Sequence, residues 1–160
     1  MAESVNEWCE VADDGILVAR LVKSNDEAVH IDPVRLTFCG SNSAPTITEL
    51  DPQRGSQSDF YGSDPRAWAP SVARWGRLRL HQVCSGIDVD IYLSKGILEY
   101  DLRIDTNADL GALAIHVEGS QGMTLLESGD LEIRTARGKL LHRAPKLRSL
   151  DGTLLEVPCR

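Results

Sequence analysis

Asp88, Asp90, Glu99 and Asp101 are the residues whose type and spacing are best suited to chemistry. They alternate with Ile87, Val89, Ile91 and Leu93 before Ser94-Lys95-Gly96-Ile97, and with Leu98, Tyr100, Leu102 and Ile104 after it. That central stretch has the composition of a hairpin loop. Two paired strands must share their apolar face, because a one-residue slip turns one apolar set to water. The condition predicts Leu93 opposite Leu98, Ile91 opposite Tyr100 and Val89 opposite Leu102. The other face then sets Tyr92 against Glu99, Asp90 against Asp101 and Asp88 against Arg103. Like charges directly opposite are destabilising. Paired carboxylates serve glycosidases, and oxygen-rich clusters hold Ca²⁺. The plain alternative, expected here, is a solvated face where water and nearby Arg side chains dissipate the repulsion. It predicts that Asp90→Asn is neutral or slightly stabilising.

The other chemical candidates are weaker. Asp105-Thr106-Asn107-Ala108-Asp109 has the opening carboxylate spacing of an EF-hand loop, but Leu110 and His116 stand where Gly and a bidentate Glu are required. A turn whose side chains bond the local backbone is expected instead. Arg66, Arg74, Arg77 and Arg79 interleave with Trp68 and Trp75, and Arg134, Arg137, Lys139, Arg143, Lys146 and Arg148 form a second basic stretch. Such interleaving can bind nucleic acid or glycans, but a net charge of -7 argues against nucleic acid. No Gly-x-Ser-x-Gly elbow and no phosphate-cradling glycine loop stands here. His81 and His116 fall on the polar side of alternating stretches; His30 and His142 complete the histidines. Cys9, Cys39, Cys84 and Cys159 lack a Cys-x-x-Cys pair, so no zinc site is expected. Buried thiols and disulfides both remain open. No cofactor is expected.

The elements that would position these residues are strands. The period is two almost everywhere. Val5 to Val11 and Ile16 to Lys23 flank Ala12-Asp13-Asp14-Gly15, a hairpin-turn composition. Val34-Arg35-Leu36-Thr37-Phe38 alternates cleanly, as does the chain from Arg77 onward, with turn signals at Glu118-Gly119, Ser128-Gly129-Asp130, Arg137-Gly138 and Asp151-Gly152. The stretch 50–70 lacks the period and reads as one long ordered loop, with Asp64-Pro65 as a structural turn and Trp68 as its buried anchor. An all-β antiparallel sandwich or barrel-like sheet of hairpins follows. The chain, 160 residues with 42% hydrophobic and 26% charged content, fits a single β-rich domain over 1–160. No apolar run is long enough for a membrane span. The acidic N-terminus has no signal-peptide pattern, which leaves a cytoplasmic protein or a fragment of a longer exported one.

Four blocks carry a resemblance. Gly55-Ser56-Gln57-Ser58-Asp59-Phe60-Tyr61-Gly62-Ser63-Asp64-Pro65-Arg66-Ala67-Trp68 is the first, and Gly86-Ile87-Asp88-Val89-Asp90-Ile91-Tyr92 with Leu98-Glu99-Tyr100-Asp101 is the second. Ala108-Asp109 leading to Leu113-Ala114-Ile115-His116-Val117-Glu118-Gly119 is the third, and Gly129-Asp130-Leu131-Glu132-Ile133-Arg134-Thr135 running on to His142-Arg143-Ala144-Pro145 is the fourth. In this order they resemble the β-rich N-terminal module of bacterial SBBP (β-propeller repeat) surface and secreted proteins. Cys84-Ser85 departs from that family's Tyr-Pro, Ser58-Asp59 from its Asn-Tyr, and Ser63 from its Asn. The family's upstream segment and following propeller have no counterpart, which suggests a chain truncated at both ends. The resemblance implies an extracellular or cell-envelope setting and adjacent β-propeller or Ig-like domains as partners. It transfers no catalytic residue. The resulting expectation is a non-catalytic module for adhesion, ligand binding or domain packing. The alternatives are a cation- or glycan-binding module, or a hydrolase using the acidic pair.

Overall fold

The alternating stretches form strands throughout the residues that the computed structural model describes: 6–12, 15–23, 29–39, 45–60, 62–149 and 152–155. In chain order these are β1 (Asn6–Ala12), β2 (Gly15–Lys23), β3 (Val29–Cys39), β4 (Ile47–Phe60), β5 (Trp68–Cys84), β6 (Ile87–Ser94) and β7 (Ile97–Ile104). There follow β8 (Ala114–Glu118), β9 (Gly122–Leu125), β10 (Leu131–Arg134), β11 (Lys139–His142), β12 (Leu147–Arg148) and β13 (Leu154–Leu155). Helix among the described residues is limited to single 3₁₀ turns at Pro65–Ala67 and Leu110–Ala112. The sheets run β1-β2-β3-β8, β4-β5-β6-β7, β11-β10-β9 and β12-β13. The pairings within the last three are antiparallel. The fold is all-β, built of open sheets rather than a closed barrel.

The chain divides into two compact units, one of Met1–Glu10, Ile16–Leu36 and Val117–Arg160, the other of Val11–Gly15 and Thr37–His116. In the first, Ile16, Ala19, Val34, Leu36 and Ile133 are buried. Asp32 shares the parity of Val34 and Leu36 on β3 and is buried with them. In the second, Leu80, Val83, Cys84, Ile87, Val89 and Ile91 are buried. Each such side chain taken fully from water contributes about 1.5–3 kcal/mol for the larger aliphatics. Phe38 meets Tyr100 edge to face at 5.4 Å. Burial pushes the Tyr100 hydroxyl up to about 12. The Cys84 thiol lies 3.6 Å from the Ala112 carbonyl oxygen. The side chains of Cys9, Cys39 and Cys159 lie outside the described residues, as do Asp13 and Asp14 of the expected first turn.

The hairpin register follows the sequence expectation pair for pair: Leu93 with Leu98, Ile91 with Tyr100, Val89 with Leu102, Asp90 with Asp101. The stretch 50–70 does not. It is no loop but a two-stranded arm, in which β4 pairs with β5 from Ile47–Leu80 out to Phe60–Trp68. Positions 51–58 and 68–75 are exposed. A ribbon wetted on both faces needs no apolar period. Its rhythm is also broken by positive φ at Asp51 (55°), Gly55 (83°) and Ser71 (69°). Pro52 stands on the edge strand β4, where a missing N–H is tolerated. The turn reading of Asp64-Pro65 stands: Asp64 caps the 3₁₀ turn by accepting from the Arg66 N–H at 3.0 Å. Trp68 is not a buried anchor, since it is 40% exposed with its indole N–H donating to the Gly62 carbonyl at 3.2 Å.

Candidate functional site

The polar face of the β4-β5-β6-β7 sheet gathers the candidates. Antiparallel register lines up Thr48, Arg79, Asp90 and Asp101 in one cross-strand row, and Leu50, Arg77, Tyr92 and Glu99 in the next. Leu78 and Leu80 must face the core, so Arg77, Arg79 and His81 emerge together on the opposite side.

Asp90 is the centre of this face, and it is not solvated. Its side chain is 4% exposed. Arg79 clamps it with two bonds, Nη2 to Oδ2 at 2.8 Å and Nε to Oδ1, and Arg77 adds a third at 3.2 Å. Burial alone would raise the carboxyl pKa; the Arg79 bonds and charge, followed by those of Arg77, outweigh it and hold the group below its usual range. The same pairing raises the Arg79 guanidinium. Arg77 also lies 3.5 Å from Asp51 and 4.4 Å over the Tyr92 ring. The expectation of a water-dispersed repulsion is therefore half corrected. The arginines do the dispersing, but in a desolvated clamp rather than in solvent.

Asp101 faces Asp90 in register yet turns outward, accepting from the Tyr92 hydroxyl at 3.0 Å. Burial and then this bond raise the Tyr92 hydroxyl pKa. Glu99 is exposed beside it. The four acids thus form no open acidic cluster, and no group of metal-ligating side chains large enough to hold an ion occurs among the described residues. A carboxylate dyad of the glycosidase kind needs one acid free to hold a proton, whereas Asp90 is committed to two arginines.

Asp88 belongs to a different constellation. Its Oδ2 lies 3.3 Å from His81 Nδ1, its Oδ1 accepts the Gln82 backbone N–H at 2.8 Å, and His81 Nε2 lies 2.9 Å from the Thr48 hydroxyl. A carboxylate at Nδ1 favours a proton there, leaving Nε2 to accept from Thr48. Gln82 sits at φ 49° where β5 bulges against β6 between Leu80 and Cys84. That bulge aims its N–H at Asp88. Asp88, His81 and Gln82, together with Thr46, Arg79, Gly86, Arg103 and Asp105, line a concavity of about 430 Å³. Asp105-Thr106-Asn107-Ala108 closes its rim as a turn, with the Ala108 N–H bonded to the Asp105 carbonyl at 3.0 Å. Asp109 caps the following 3₁₀ turn through the Gly111 N–H at 2.9 Å.

Sequence reasoning missed the second buried carboxylate, Asp32. It accepts from the Thr135 hydroxyl at 2.9 Å, the Arg137 backbone N–H at 2.8 Å and the Arg137 guanidinium at 3.2 Å. Burial pushes its pKa up, but these donors together bring it below the usual range. The signal was present: Asp32 stands in phase with the apolar positions of β3. The basic stretch 134–148 is met by acids: Arg137 by Asp32, Lys139 by Glu132 at 2.7 Å, and Arg143 by Asp130 at 3.1 Å.

One family profile, described as "Domain of unknown function (DUF7948)", matches residues 13–160. No curated protein and no solved structure matches significantly.

Proposed function

We propose, from the premise that the chain belongs to the DUF7948 family, that it is a non-catalytic β module of an exported bacterial protein, acting in adhesion, ligand binding or domain packing. The observation that carries this reading is the Asp90 clamp. The central acid of the polar sheet face is spent on Arg79 and Arg77, so the face is rigid and pre-organised rather than poised to exchange protons. The resemblance to the N-terminal module of SBBP surface proteins supports the exported setting. Epitope tagging at the exposed Lys95-Gly96 turn, followed by protease treatment of intact cells, tests it. Cleavage of the tag from outside is expected, and complete protection would overturn the exported setting.

The Asp88–His81–Thr48 relay favours a second reading, a hydrolase. It orders carboxylate, imidazole and hydroxyl as acyl-transfer enzymes do. Turnover of p-nitrophenyl acetate that is lost in Thr48→Val and kept in Thr48→Ser would establish this reading in place of the first.

A further inference from the structure

The arm carries two tryptophans in an unusual state. Trp68 is 40% and Trp75 38% exposed, although tryptophan is highly buried on average. They stand seven residues apart on β5, an odd spacing that sends side chains to opposite faces of a regular strand. The register removes that opposition. Gln57 pairs with Val72 and Asp59 with Ala69, so β5 spends one more residue than β4 over this interval. The extra residue is accommodated beside Ser71, at φ 69°. Bulges of this kind re-aim side chains. Trp68 is thereby returned to the face of Ala73, Trp75, Arg77 and Arg79. Between the two rings that face holds the small pair Ala73 and Ser56. At about 3.3 Å per residue the rings lie about 20 Å apart along the strand. Beyond Trp75 the same face continues into the Arg77–Tyr92 stack, the Asp90 clamp and the His81 concavity.

We infer that this strip, from Trp68 through Trp75 to the His81 concavity, is a binding site for an extended neutral polysaccharide. The inference rests on the non-catalytic, ligand-binding reading above and gives it a ligand class. Aromatic rings offer apolar platforms to sugar faces, and the fixed polar groups beside them can exchange hydrogen bonds with hydroxyls. Charge selects a neutral polymer. Arg77 and Arg79 are already paired with Asp51 and Asp90, while Asp101 and Glu99 add negative charge at the edge of the face. An anionic chain gains little there and is repelled. A second copy of this chain brings a further net charge of -7, which opposes self-association.

The test is native electrophoresis of the whole chain in gels containing hydroxyethylcellulose, galactomannan, soluble starch or laminarin, with polygalacturonate as an anionic comparison. Retardation by at least one neutral polymer is expected. Trp75→Ala and Trp68→Ala should each weaken it roughly tenfold, equivalent to about 1.4 kcal/mol. Trp75→Phe should keep most of it, and circular dichroism should be unchanged in all three. Four results would overturn the inference: no retardation by any neutral polymer, retardation by polygalacturonate alone, binding that survives in the double Trp→Ala variant, or self-association abolished by Trp75→Ala. No binding, alongside external cleavage of the tag, removes the glycan site and leaves the exported-module reading standing. Thr48-dependent ester turnover removes the non-catalytic reading instead.

Discussion

At Asp90 the tertiary surroundings reverse what the local sequence suggests, and at Gly119 they add a constraint to the turn it signals. A carboxylate facing another carboxylate invites removal, yet Asp90→Asn would take from Arg79 its clamped counter-charge and leave Arg77 with Asp51 alone. Breaking a fully buried pair costs roughly 3–5 kcal/mol. Arg79 and Arg77 keep 24% and 31% of their side-chain surface in water, so a loss of about 2–3 kcal/mol is expected. Urea unfolding would measure it. A neutral Asp90→Asn would show that the clamp does not form in solution. Gly119 has φ 83°, and a Cβ there would collide with the Pro33 carbonyl oxygen. Gly119→Ala should cost at least about 2 kcal/mol, since a left-handed non-glycine residue alone costs roughly 1–2. The midpoint of the same unfolding curve would report it.

The β6–β7 hairpin and the β4–β5 arm mark the two extremes of legibility among the elements. The hairpin is half-buried, so its apolar phase dictates the register, and each pair could be written down in advance. Its turn places Lys95 at φ 51° and Gly96 at φ 80°, the paired positive values of a type I′ turn. Lysine is strained there, and asparagine tolerates that region. Lys95→Asn should therefore stabilise by about 0.5–1 kcal/mol, visible as a raised melting temperature. The arm has no buried face to impose a phase. Gly, Pro and Ser then look like loop residues, although on a wet edge ribbon they are admissible strand residues. Ser71→Gly should separate strain from function. Relief of φ 69° should offset the larger unfolded-state entropy of glycine and leave the melting temperature nearly unchanged. Near-equality of the two melting temperatures is the expected result.

At the scale of the molecule, the buried carboxylates Asp32 and Asp90 contribute to the response to acid. Asp32 and Asp90 both have pKa values below the usual range in the folded state. A group with a depressed folded pKa stabilises fully above its unfolded value, about 3.9 for aspartate. That contribution declines as pH falls below about 4 and is gone once the folded value is passed. Thermal unfolding followed from pH 7 to pH 2 should show a steep loss of melting temperature below about pH 4. In Asp90→Asn the neutral-pH stability should be lower and the acid-dependent loss smaller. An unchanged acid limb in that variant would remove Asp90 from the account.

Local alternation along the chain is enough to write down part of this fold. All-β structure and the 87–104 register follow from alternation and from the rule that apolar side chains of paired strands share a face. Which strands become neighbours is settled by packing across the sheets. β5 next to β6 brings Arg79 to Asp90 and makes an apparent repulsion into an ion-paired clamp. The turn after β10 brings Thr135 and Arg137 to Asp32 across more than a hundred residues of chain. β4 next to β5 brings Thr48 to His81, and the Ser71 bulge puts Trp68 and Trp75 on one face. The reason is physical. A strand's phase is written in its own residues, whereas the partners of a charge, a hydroxyl or an exposed ring come from other strands, and no local period encodes them.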